Sequence, residues 1–175
     1  MLPNPLHPAV VHFPIVLVVL LPFFAIGALW AIRKGVAPRK AWSLPLVLAG
    51  ALTLSAFVAL RTGQAQEDRV GKVVPRGVIE GHEEAAERFL VLSGVLLLIA
   101  GAGLAPGVVG RSARLVSAAG AIALVVAGVQ VGASGGELVY KHGAARVYAA
   151  TPDAASPAAS VSQVPAGAGA DEDRD

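Results

Sequence analysis

Cysteine is absent from this chain. That excludes disulfides, zinc–thiolate sites, thiol nucleophiles, iron–sulfur ligation and the C-x-x-C-H attachment of haem. Charge is also scarce: Asp, Glu, Lys and Arg make up 15% of the 175 residues, against about 25% in soluble domains. The formal net charge is only +2, although the pI is near 9.3. No run of Lys and Arg interleaves with aromatics, so nucleic acid is excluded as a partner. The local catalytic fingerprints are missing too. There is no G-x-S-x-G, P-loop or dinucleotide motif, and Gly101-Ala102-Gly103 lies in an apolar run with no strand before it. His82-Glu83-Glu84-Ala85-Ala86 carries Ala86 where H-E-x-x-H needs its second histidine, so it is no zincin site.

What the chain has is apolar length. Hydrophobic types reach 55% and mean hydropathy is +0.66. A membrane span needs about 20 apolar residues to cross about 30 Å of hydrocarbon. Four segments qualify, at about residues 8–32, 41–60, 85–110 and 115–136. The expected fold is therefore all-α, a four-transmembrane-helix bundle occupying residues 1–147. A cleaved signal peptide fits the first segment poorly: residues 1–7 hold no Lys or Arg, and the apolar run exceeds the h-region length of about 7–15 residues. Residues 148–175 are rich in Ala, Pro, Ser and Gly and are expected to be a disordered tail. No internal repeat is apparent.

The turns between the first and second and between the third and fourth spans hold Arg33, Lys34, Arg39, Lys40, Arg111 and Arg114, and no acidic residue. By the positive-inside rule both turns are cytoplasmic. Both termini then face the periplasm, and the expected location is a bacterial inner membrane. The long connection over residues 61–81, with five glycines and prolines among its charges, reads as a surface loop. A helical pattern resumes near His82, supported by Glu84 four residues before Arg88. Gly128, Gly132 and Gly136 suggest a smooth stripe for helix packing or for a flat cofactor. Gln130 is expected to find an amide partner in Thr53, Ser55 or Ser93. Pro14, Pro22 and Pro45 lie inside apolar runs, and each is expected to remove a helical hydrogen bond.

Topology and histidine positions combine. The four histidines, His7, His12, His82 and His142, all fall at the outer face. Glu80, Glu83, Glu84, Glu137 and Tyr140 accompany them. Each histidine has a plainer role available. His7 and His142 suit solvated or capping positions, His82 suits a helix cap, and His12 suits one hydrogen bond to a neighbouring helix. Still, an ionisable group inside a span marks a functional hypothesis, and bundles build metal and haem sites from facing helices. The sequence thus points to a haem b or transition-metal redox module. Its ligands would come from His12, His82 and His142, with His12 and His82 as the leading pair. His7 would be an alternative ligand, and Glu83 an acceptor or a metal ligand beside His82. A periplasmic or quinone redox partner would follow. The alternatives are a copper or zinc handling protein and a structural accessory subunit without a cofactor. An electron-transfer or binding module is expected rather than a hydrolase or transferase.

Residues 7–15, His-Pro-Ala-Val-Val-His-Phe-Pro-Ile, resemble the H-P-x-x-V-H-F-P-I signature of a bacterial membrane family, domain of unknown function 2231. Residues 135–143 resemble its second signature, G-x-x-L-V-Y-x-H-G. Thr62-Gly63 and Gly81-His82-Glu83 fall where similar residues occur in that family. The resemblance covers roughly residues 1–147. It implies a four-helix inner-membrane protein with histidines grouped at one face, in a pattern that suggests haem or metal binding.

Overall fold

A computed structural model describes residues 5–149, and all regular structure among them is helical. A short α1 (His7–Val10) leads through Val11 into α2 (His12–Arg33). Then come α3 (Pro38–Gln64), a one-turn α4 (Glu67–Val70), α5 (Arg76–Ala102), α6 (Gly107–Tyr140) and α7 (Arg146–Ala149). Prolines and glycines punctuate this order. Pro38 opens α3 from inside its first turn, and Pro75 and Pro106 sit at the N-caps of α5 and α6. A proline costs nothing there, because the first-turn N–H groups have no helical acceptor. Gly35 and Gly143 follow α2 and α6 with φ of 95° and 69°, a left-handed conformation that side chains resist.

Four helices are long and apolar enough to cross a membrane: His7–Arg33, Pro38–Gln64, Arg76–Ala102 and Gly107–Tyr140. They form a ring in which α2 touches α3 and α6, and α5 touches α3 and α6. Its centre is a layer of Val18, Leu21, Ala49, Leu52, Ala56, Phe89, Leu96, Ala100, Ala121 and Leu124. Much of that list is alanine. With lipid competing for every larger apolar group, close backbone approach holds the helices together. Outward faces stay apolar and exposed, with Phe13, Phe23, Trp30, Leu54, Val91 and Leu98 among them.

The end carrying the α5–α6 turn is closed by polar side chains. An α-helix leaves its last four carbonyls without donors. Trp42, fully buried, donates from Nε1 to the Ala100 carbonyl at 2.9 Å. Arg114, also buried, donates to the Gly103 carbonyl, and Arg39 Nε donates to the Leu104 carbonyl at 3.2 Å. Gly103 is required under this clasp: a Cβ there would lie 2.4 Å from Trp42 Nε1.

The helix boundaries differ from expectation in three places. The third span does not run to Gly110; α5 ends at Ala102, where Gly103 and Pro106 break the helix, and Gly107–Arg114 belongs to α6. The supposed surface loop is largely helical. Here α3 extends to Gln64, α4 fills Glu67–Val70, and α5 begins at Arg76, six residues before His82. The reason is a small separate core of Val74, Ile79, Leu138 and Ala144, which rewards helix at this end. Tyr148, expected at the start of the disordered tail, is placed in α7 and bonded to the body. The rest of that tail, from residue 150, lies outside the described residues.

Packing along α6 also departs from the expected stripe. A Cβ at Gly128 would meet Val18 and Phe89 at 3.3–3.4 Å, but one at Gly132 meets nothing within 4 Å. The α6 glycines approached by other helices are Gly120, Gly128 and Gly135, against Leu96, Val18 and Phe89, and His82, while Gly110 lies under the Ala105 carbonyl of the preceding turn. Gln130 is exposed on the outside of the bundle. Its expected partners Thr53, Ser55 and Ser93 each donate to a carbonyl of their own helix, at 2.8–3.0 Å. Within a helix that is the readiest acceptor for a hydroxyl. Pro14 stands in the first turn of α2, where no hydrogen bond is lost, so only Pro22 and Pro45 interrupt helices.

Candidate functional site

The first described residues, the α3–α5 connection and α7 share the end of the bundle opposite the Trp42 clasp. Two of the four histidines meet there. His7 in α1 and His82 in α5 stand with ring centroids 6.4 Å apart and ring planes at 81°. They are 75 positions apart in sequence, so only the fold could join them. Both are partly buried.

His7 is fixed against α3. Its Nδ1 donates to the Ala59 carbonyl at 2.9 Å, and Thr62 Oγ1 lies 3.4 Å away. The ring rests on Gly63, where a Cβ would come within 3.1 Å of Cε1. His82 is fixed against α6 in a matching way. Its Nδ1 is 2.8 Å from Ser134 Oγ, and the ring rests on Gly135, where a Cβ would again come within 3.1 Å of Cε1. Beside the pair, Gln64 donates from Nε2 to Glu83 Oε1 at 2.6 Å, tying the end of α3 to α5. The position of His82 in the second turn of α5, rather than at its cap, is what turns it toward α6.

The leading sequence pair, His12 with His82, is not brought together. His12 opens α2 but points outward and is exposed, with its Nδ1 bonded to the Ala9 carbonyl at 3.3 Å. Helix geometry accounts for the reversal. His7 and His12 are five residues apart in one helical span, about 140° around its axis, so His7 turns in toward α3 while His12 faces away. His142 stands apart as well, with Nε2 4.0 Å from Glu137 Oε1, a carboxylate already paired with Lys141 at 3.0 Å. Glu83 is engaged by Gln64. Glu84 pairs with Arg88 at 2.7 Å, and Glu80 and Glu87 are exposed. Tyr140 is 89% exposed. Among the described residues no group of three or more His, Cys, Asp or Glu could hold a metal ion. The cluster expected from topology therefore reduces to a pair. Ser134, the Ala59 carbonyl and Gln64 were not signalled by any sequence motif; Thr62-Gly63 and Gly135 were, through the family signatures.

A ring of four apolar helices with alanine and glycine at its contacts, and polar side chains at its two ends, defines a multi-pass helical membrane protein, with the lipid bilayer as its surroundings. The chain belongs to the family described as a predicted membrane protein, domain of unknown function 2231, whose family model matches residues 3–147. Comparison with curated proteins gives no match, and comparison with solved structures gives none either.

Proposed function

We propose that this protein is an inner-membrane module that holds a transition-metal centre at its periplasmic end through His7 and His82. The observation that carries the reading is the pair itself: two imidazoles from distant segments, 6.4 Å apart, each tied by Nδ1 to a different long helix. Imidazole is a common ligand for zinc, copper, nickel and iron. The orientation rests on the six basic and no acidic residues around the opposite turns. A b-type haem is a second reading, favoured by ligand number. The macrocycle fills the equatorial positions, so the protein supplies only two axial groups. In that case electron exchange with a quinone or a periplasmic protein follows; with a bare ion, copper or zinc handling does.

An absorption spectrum and a metal analysis on one purified sample test this. Bound metal or a Soret band is expected in wild type. It should be lost in His7→Ala and His82→Ala and kept in His12→Ala, whose side chain faces away. Metal-free, haem-free wild-type protein from every growth condition, supplemented or not, would leave the accessory-subunit reading instead.

A further inference from the structure

We infer that the His7–His82 pair binds a single monovalent copper ion between its two Nε2 atoms, with Ser134 as the positioning residue that keeps the His82 Nε2 lone pair available. This rests on the reading of the pair as a metal site and narrows it to one ion and one coordination mode.

A backbone carbonyl can only accept, so the 2.9 Å contact to Ala59 makes His7 Nδ1 the donor. Ser134 Oγ donates its own hydrogen to the Val131 carbonyl at 2.9 Å. With that hydrogen on Val131, Ser134 Oγ accepts from His82 Nδ1 at 2.8 Å, and we assign the His82 tautomer accordingly. In a neutral imidazole with Nδ1 protonated, Nε2 carries the lone pair. No hydrogen bond among the described residues engages Nε2 of either ring. An N–H donated to a fixed oxygen, with the other nitrogen left bare, is how metal-binding histidines are held. The two rings achieve it independently, one on α3 and one on α6, and each lies over a glycine.

Spacing and ligand number then select the ion. Imidazole nitrogen binds a metal at about 2.0–2.1 Å, so two rings on opposite sides of one ion have centroids about 6 Å apart. The observed 6.4 Å matches one ion, and leaves no room for two, once the two Nε2 atoms are turned to face each other. Among the described residues no third His, Asp or Glu joins them. Zinc takes about four ligands in structural sites and about three protein ligands in catalytic ones, and divalent copper and nickel prefer tetragonal sets. Monovalent copper has a filled d shell and accepts two nitrogens in line. Against a porphyrin stands the 2.6 Å Gln64–Glu83 bond, one residue beyond Gly63 and one beyond His82, which ties α3 to α5 next to the pair.

The full-length protein in detergent tests this in two steps. In metal-free wild type, nitrogen NMR of labelled histidine should show both rings with Nδ1 protonated; Ser134→Ala should turn His82 into a tautomer mixture, and Ser134→Thr should restore it. Titration with copper under anaerobic reducing conditions, against a monovalent-copper chelator, should give one ion per chain. X-ray absorption should show two nitrogen neighbours. Ser134→Ala should weaken binding roughly 10–100-fold, Ser134→Thr should recover it, and Gly135→Ala, which pushes the His82 ring, should also weaken it. A wild-type Soret band with no competitive copper binding overturns this inference and leaves the broader metal-centre reading standing. Zinc held as tightly as copper, or wild-type rings protonated on Nε2, overturns this inference alone. Failure to bind haem or any metal overturns both.

Discussion

At the residue scale, glycine and tryptophan carry more of the structure than the charged groups do. Gly128 and Gly132 share a helix and a spacing of four, yet only Gly128 has neighbours a side chain would strike. Gly128→Leu should force Val18 and Phe89 apart and cost roughly 1–3 kcal/mol by the overpacking scale of soluble cores. Gly132→Leu should leave thermal stability in detergent unchanged. Equal effects at both positions would mean that α6 is rotated relative to its neighbours. Sequence periodicity showed that a small-residue stripe exists but not which of its members meets another helix. That depends on the rotation of α6, which Leu96, Val18 and His82 settle from outside the helix. The histidines follow the same logic. Their common end was legible from counting spans, whereas the partner of His82 was not, because the rotation of the first span about its own axis decides whether His7 or His12 turns inward.

Elements at the histidine end form a layer of their own. The turn α4, the start of α5, the end of α6 and the connection that follows it meet over Val74, Ile79, Leu138 and Ala144. Tyr148 holds α7 in place: its hydroxyl donates to Gln66 Oε1 at 2.9 Å, and the Arg69 guanidinium lies 5.4 Å from its ring centre. Burial pushes the Tyr148 phenol above its ordinary value, partly offset by Arg69. The docked state thus favours the neutral form. Its contribution is whole below the ordinary phenol value of about 10 and fades as pH rises through the raised one. Protection of the Arg146–Ala149 amides, measured against their base-catalysed intrinsic exchange rates, should therefore hold at neutral pH and fall in strong alkali, and Tyr148→Phe should lower it at neutral pH. The glycines and prolines of residues 61–81 suggested loop because they are turn residues. What they mark here are the ends of short helices, and the apolar contacts that order those helices come from Leu138 and Ala144, far along the chain.

For the whole molecule, four spans and the all-helical class were legible from apolar length alone, since about 20 uncharged residues in lipid have few other solutions. The ring order of the helices was not, because lipid-facing and partner-facing residues are equally apolar. Orientation is a separate matter and rests on charge. A reporter active only in the periplasm should work when fused after residue 150 and fail when inserted beside Val36. The opposite pattern would place the histidine pair in the cytoplasm without separating its members, since both lie at one end.

The length of α6 has a further consequence. From Arg111 to Ser134 it rises about 35 Å, more than the hydrocarbon thickness of about 30 Å. With Arg111 at one hydrocarbon boundary, Ser134, and with it the ring of His82, would stand just above the acyl chains on the other side, at the height of the lipid headgroups. Bilayer thickness then works as a tide line. In a thin membrane the imidazoles are bathed by water and solutes arrive freely; in a thick one the shoreline rises over them, and helix tilt or local thinning must bring them back. A protein built this way has its access set by the lipids around it as much as by its own side chains.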